Sequence, residues 1–234
     1  MTKRTRFFLG HLTASIFIGL ILITLVFGFW YPTPFAAAEG VTNIFMMLLA
    51  IDVIVGPILG YLVYKEGKKT LKMDLAVIIV IQLAAMLYGV YSITQSRPAW
   101  IVQNGSIFQL VRANAILPED QKNAASEYQT NSWSGPKWVA VDAQHAQYER
   151  AAEPTLVPNV YTRLDVAVDR IRQNAKSLDL LENYNDQNRI KAVLNKYPEA
   201  NAWMPLRTTG DGLVVLLQQQ DAKVIAVVDL RPWQ

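Results

Sequence analysis

The chain has 234 residues, no cysteine and a formal net charge of +3. The missing cysteines exclude disulfides, thiol chemistry and Cys-ligated metals. The positive balance does not describe a nucleic-acid surface, because residues 1–94 hold seven basic residues against four acids while the rest of the chain holds fifteen of each.

Three apolar runs occupy the first 94 residues: Phe7–Trp30, Val41–Tyr64 and Asp74–Thr94. A hydrocarbon core of ~30 Å needs ~20 helical residues to cross it. A soluble amphipathic helix would show a polar face at the 3.6-residue period, and these runs show almost none. They predict three transmembrane helices, about 7–30, 41–64 and 74–94, followed by an outer domain over 95–234. Lys3, Arg4 and Arg6 precede the first run, and Lys65, Lys68, Lys69 and Lys72 lie between the second and third. The connection "YPTPFAAAEG" carries no Lys or Arg. The positive-inside rule then puts the N-terminus in the cytoplasm and everything after Thr94 outside. Phe29, Trp30, Tyr31, Tyr88 and Tyr91 are expected at the outer boundary, and Tyr61 and Tyr64 at the inner one. "FAAAEG" offers a signal-peptidase-like site ending at Ala38, but a cleavable signal has an apolar region of only ~7–15 residues. The first helix is therefore expected to stay as an anchor.

The second run contains an acid. Asp52, Gly56 and Gly60 are spaced four apart and share one helix face. Gly56–Gly60 is also a G-x-x-x-G pattern, which allows close helix approach. Ser15/Gly19 and Ala85/Gly89 give weaker small-residue faces. Pro57 cannot donate to the carbonyl of Val53, which predicts a kink and a carbonyl in need of a partner. An ionised Asp at mid-helix costs ~2.5–3.5 kcal/mol on insertion scales. Burial disfavours the charged form, and the neutral acid can both donate and accept a hydrogen bond. Gln82 and Ser15 lie at similar depth, and His11 is shallower. Two readings stand: internal glue among the three helices, or a docking face for another transmembrane helix formed by Asp52, Gly56, Pro57, Gly60 and Gln82.

In the outer segment, "AWIVQNGSIFQLVRAN" predicts a hairpin about Asn104-Gly105. "PEDQKNAASEYQT" opens a short polar helix and "PKWVAVDA" is a strand. "AAEPTLVPNV" is loop. Val160, Leu164, Val168, Ile171, Ala175 and Leu178 recur at steps of three and four and predict one helix. A second helix, Gln187–Tyr197, is stopped by Pro198. "DGLVVLLQQQDAKVIAVVDL" predicts two strands turning near Gln220-Asp221. Blocks of strands and of helices predict an α+β domain with an antiparallel sheet. "RPAW" (Arg97, Pro98, Trp100) opens this domain and "DLRPW" (Asp229, Arg231, Trp233) closes it. The two either pack to close the domain or, for Trp100, sit near the headgroups.

Nothing here predicts catalysis. The two histidines, His11 and His145, fall on opposite sides of the membrane and cannot share a metal, and His145 reads as a surface residue. No nucleophile elbow, P-loop or dinucleotide fingerprint is present. Asp165 and Asp169 share a helix face as many solvated acids do. Asp52 and Asp74 differ too much in depth for an intramembrane acid pair. No enzyme activity, cofactor or metal is expected.

The ordered series "FWYPTPF", "IDVIVGPILGYLVYKEGKK", "KMDLAVIIVIQLAAMLYGVY", "RPAWIVQNGSIFQLVRAN" and "VVDLRPW" resembles the TfpX/TfpZ-type accessory proteins of type IV pilins, called FimB in some bacteria. The resemblance implies a multi-pass protein of the bacterial inner membrane with a periplasmic C-terminal domain. It implies a chaperone-like partner of a major pilin, and of further pilus assembly proteins, in fimbrium biogenesis and twitching motility. Such a protein supports pilin stability, assembly or the balance of extension and retraction, and is not an enzyme. A pilin waits in the membrane as one apolar helix with its head outside, so a partner for both parts needs a helix-docking face and an outer domain. The competing expectation is a membrane-anchored envelope sensor or assembly factor whose periplasmic domain binds a ligand.

Overall fold

The computed structural model of the protein describes residues 1–144 and 153–233. They form two compact units, residues 1–29 with 40–95, and residues 30–39 with those from 96 onward.

The first unit is helical. α1 (Lys3–Trp30), α3 (Val41–Val63) and α4 (Leu71–Gln95) are long and apolar enough to cross a membrane. The Thr2 hydroxyl caps α1 by accepting from the Thr5 N–H, and Gly40 enters α3 in the left-handed conformation at φ 71°. α3 changes pitch midway. Ile51–Val55 is a π turn in which the Gly56 N–H reaches back five residues to the Ile51 carbonyl, and regular helix resumes over Gly56–Val63. α1 and α4 each pack on α3, with no comparable packing between the two. Most of their apolar surface stays uncovered: 11% of the apolar stretch of α1 is buried and 6% of that of α4.

Among the described residues of the second unit, eight strands form one sheet. They are β1 (Pro98–Asn104), β2 (Ile107–Arg112), β3 (Lys137–Val141), β4 (Tyr161–Arg163), β5 (Lys176–Ser177), β6 (Ala202–Arg207), β7 (Leu213–Gln218) and β8 (Lys223–Val228). The order is β4-β3-β1-β2-β6-β7-β8, with β5 also on β6. The hairpin β1–β2 turns at Gly105, φ 58°, as the Asn-Gly dipeptide predicts. The β7–β8 turn is also found.

The sheet is mixed, not antiparallel as expected. β1 runs parallel to β3, and β2 parallel to β6. A parallel pair needs a crossover of a dozen or more residues. Residues 113–136, which include the short α5 (Pro118–Asn123), supply one between the β1–β2 hairpin and β3. The single helix expected over Val160–Leu178 is also corrected. Only Val168–Asn174 is α-helix (α6), led in by a 3-10 turn at Leu164–Ala167. The flanks become β4 and β5, because pairing with β3 and β6 satisfies their backbone groups. α7 runs Gln187–Leu194, capped by the Asp186 carboxylate, which accepts from the N–H groups of Asn188 and Arg189.

β6 carries Pro205 in the middle of the sheet, where a missing N–H is costly. Its neighbours explain the tolerance. β5 pairs with Ala202 and Trp203 and β2 with Leu206 and Arg207, so Pro205 lies in the interval that neither strand covers.

Both faces of the sheet are covered, and side chains alternate between them. Ile101, Phe108, Met204 and Val215 pack on α6 and on Phe35 and Ala38 of a short helix, α2 (Phe35–Ala38). On the other face, Trp100 and Val139 pack with Tyr128 and Tyr161, and Trp203 and Leu216 with Leu181 and Ile190. Three of the aromatics expected at membrane boundaries belong to this interior. Trp30, Tyr31 and Trp100 are 2%, 0% and 1% exposed. Trp30 meets Trp133 edge-on, and Tyr31 shares a hydrogen bond with Ser96 at 3.1 Å. Trp30 and Tyr31 belong, with residues 32–39, to the second unit, and Trp100 lies in β1 of its sheet. Phe29, Tyr88 and Tyr91 are exposed.

Candidate functional site

The acid that stands out in the sequence sits at the midpoint of α3, and its surroundings follow from the π turn. In an ordinary helix the carbonyl of Asp52 would accept from Gly56 N–H, but that donor is bonded to Ile51. The next residue is Pro57, which has no N–H. The freed carbonyl is therefore that of Asp52, not only the Val53 carbonyl that the proline alone predicts. The Gln82 side chain of α4 fills the gap, its Nε2 donating to Asp52 O at 3.3 Å. Gly56 makes this possible: a Cβ there would fall on the Gln82 amide.

The glycine face expected to receive a foreign helix is filled by the chain itself. Gly56, Pro57 and Gly60 are buried. A Cβ on Gly60 would meet Phe7 of α1 at 2.8 Å. Gly89 of α4 takes Leu48, and Gly19 of α1 faces Val53 and Leu49. What remains open is the other side of Asp52. A cavity of about 450 Å³ lies between α1 and α4 with α3 as its floor, and Asp52, Gln82, His11 and Ser15 line it together with apolar side chains. Asp52 is 9% exposed, and neither carboxylate oxygen has a hydrogen-bond partner among the described residues. The same holds for Gln82 Oε1 and His11 Nδ1.

In the second unit the sequence reading missed Glu39. Its side chain is buried, and its carboxylate takes the Arg112 guanidinium, the Thr209 hydroxyl at 2.6 Å and the Thr209 N–H at 3.1 Å. The sequence offers one signal, an acid after "FAAA", and says nothing of partners 73 and 170 residues away. Elsewhere in this unit a cleft of about 820 Å³ opens between β8 and the β1–β3 side, lined by Phe35, Trp138, Leu164 and Val168.

The paired motifs close the domain. Arg97 donates to Ser132 O at 3.0 Å, and Pro98 begins β1. Trp100 donates to Asn131 Oδ1 at 3.0 Å and meets Tyr128 and Tyr161 edge-on. Burial pushes the Tyr128 hydroxyl up to about 12 and raises that of Tyr161 as well. At the other end, Asp229 pairs with Arg189 at 2.7 Å, and Arg231 bonds Gly212 O and Asp211. The Trp233 ring lies over Gly212, where a Cβ would meet it at 2.6 Å. These ion pairs are half-exposed, so Arg231→Ala is expected to cost only about 1 kcal/mol, seen as a small fall in the thermal midpoint. Asp165 and Asp169 pair with Arg163 and Arg172 on the exposed surface, and Arg163 holds the Asp165 carboxyl below the usual range. His145 lies outside the described residues.

A family model described as "Fimbrial assembly protein FimB" matches residues 1–40. The fimbrial assembly protein of Dichelobacter nodosus serogroup I is 28% identical over 204 residues, which are 80% of this chain and 78% of the relative. That of serogroup E1 is 28% identical over 183 residues, 72% of this chain and 70% of the relative. That of serogroups C1 and C2 is 33% identical over 112 residues, 47% of this chain and 86% of the relative. The chain belongs to the FimB family of fimbrial assembly proteins. No solved structure matches it. The FimB stretch, residues 1–40, contributes to both places described above: α1 walls the cavity over Asp52, and Phe35–Glu39 plugs the core of the sheet domain.

Proposed function

We propose that this FimB-family chain is an inner-membrane accessory protein for a type IV pilin, with its N-terminus cytoplasmic and its sheet domain in the periplasm. It supports pilin stability, pilus assembly or the balance of extension and retraction by holding the pilin helix and head, and it does so without catalysis. The observation that carries this reading is one chain with two kinds of surface. α1, α3 and α4 leave most of their apolar side chains uncovered, as helices immersed in lipid do. The sheet domain has a closed core and a broad cleft. The names of its relatives supply the process. Basic residues at Lys3, Arg4, Arg6 and in the Lys65–Lys72 turn support the orientation.

Deletion of the gene tests the reading through pilin level, surface pili and twitching. A fall in at least one is expected, and normal values for all three would reject it.

A further inference from the structure

The cavity over Asp52 has the form of a missing helix. Its α1 wall runs from Phe7 to Leu22 at steps of three and four, about 22 Å along the axis. Ile79, Gln82 and Met86 of α4 stand opposite, and Leu49 and Val53 of α3 form the floor beside Asp52. α1 and α4 flank α3 and pack on it far more than on each other, so the space between them is a groove and not a closed void.

Its polar lining is Arg6, His11, Ser15, Asp52 and Gln82. Both oxygens of Asp52, Gln82 Oε1 and His11 Nδ1 are buried, with no hydrogen-bond partner among the described residues. The Gln82 Nε2 donates to the Asp52 carbonyl that the π turn leaves bare, and among the described residues no donor reaches the Asp52 carboxylate. A buried acceptor without a donor forfeits the hydrogen bonds it made to water, and the loss is larger when the group is charged. The groove therefore calls for an occupant that is apolar along its length and brings a hydrogen-bond donor at the level of Asp52 and Gln82. A lipid tail brings none. Within hydrocarbon, a polypeptide occupant must be a helix, since only a helix satisfies its own backbone.

We propose that the groove between α1 and α4 seats a transmembrane helix of a partner protein, which places a nitrogen hydrogen-bond donor against Asp52 and Gln82. This rests on the reading that α1, α3 and α4 span a bilayer.

The test uses the full-length protein in lipid vesicles and Leu-rich transmembrane peptides with either Lys or Met at the centre. Lys offers three donors and no acceptor, and its charge keeps the probe from pairing with itself. The Lys peptide should bind about tenfold more tightly than the Met peptide, the effect of one charge-assisted hydrogen bond. In Asp52→Leu that preference should vanish while the thermal midpoint holds or rises. The protein has no cysteine, so single substitutions report cleanly. Ala14→Cys and Met86→Cys should form disulfides with a cysteine at the peptide centre. Phe17→Cys and Val80→Cys, on exposed faces, should not. Equal binding of the two peptides would overturn the proposal. So would crosslinking from the exposed faces alone, or disulfides between two copies through Ala14→Cys. A fall in the Asp52→Leu midpoint would also do so, by making Asp52 internal glue. A chain that failed to enter the bilayer would overturn both this proposal and the membrane reading, whereas a normal deletion phenotype would strike only at the pilin role.

Discussion

Glu39→Ala is expected to destabilise the sheet domain by about 2–4 kcal/mol, a fall of about 5–15 °C in its thermal midpoint. The Glu39 side chain is 1% exposed, and its carboxylate satisfies three donors at once. Alanine would leave the Thr209 N–H without its acceptor and Arg112 without its counter-ion. Breaking a fully buried pair costs about 3–5 kcal/mol. Arg112 is 30% exposed and can reach water, which lowers the figure. The lost ion pair also holds a plug in place. Phe35 and Ala38, immediately before Glu39, belong to the core against β1, β2 and β6. A Cβ on Gly210 would strike the Ala38 carbonyl, so this seam leaves no slack. Glu39→Gln keeps an acceptor for Thr209 but not the charge, and should fall between wild type and Glu39→Ala. Glu39→Ala/Arg112→Ala should cost less than the sum of the single changes, because the double variant strands no charge. Tryptophan fluorescence during unfolding reads the stability, since Trp30 is buried beside this segment. Faster proteolysis within residues 30–39 reads the release. An unchanged midpoint in Glu39→Ala would make the pair incidental.

What the sequence revealed about these elements depended on range. The three long helices, the β1–β2 hairpin and the β7–β8 turn are written in runs and dipeptides of a few residues, and all are present. The parallel pairs are not local: β2 meets β6 almost a hundred residues later, and no spacing rule reports that. Helical periodicity over Val160–Leu178 marks buried positions well, since Val160 and Ile171 are in the core. It misjudges the backbone, because strand pairing claims both ends of the segment. β6 is hidden by its own proline. At Asp52, the expectation that Gln82 lies at similar depth agrees with their hydrogen-bonded contact. It could not show that Gln82 serves the carbonyl and leaves the carboxylate bare, because that depends on a π turn with no sequence signature of its own. The buried Glu39 contacts have no local signal because Arg112, at the end of β2, and Thr209, just past β6, are far away in sequence.

Gly56→Ala is expected to cost the helical unit about 2–5 kcal/mol, an unusual penalty for one methyl group. The added Cβ would occupy the place of the Gln82 amide. Gln82 must then swing away, and the Asp52 carbonyl loses its donor, worth about 1–3 kcal/mol by itself. The remainder is overpacking where α3 and α4 cross. Gln82→Ala alone should cost only the hydrogen-bond part. In the double variant the new methyl has room and the bond is already absent, so its stability should match Gln82→Ala instead of adding the two losses. Gly60→Ala supplies the control on the same helix face. Its Cβ would meet the ring edge of Phe7, the end of a side chain that can rotate, so the penalty should be clearly smaller. Thermal unfolding of helix signal in detergent micelles ranks the four variants. If Gly56→Ala and Gly60→Ala cost the same, the glycines serve only as generic small residues. If instead the Gly56→Ala penalty disappears in the Gln82→Ala background, the methyl acts through one amide. Gly56 then belongs to the device that spends Gln82 on the backbone and leaves the Asp52 carboxylate facing the groove.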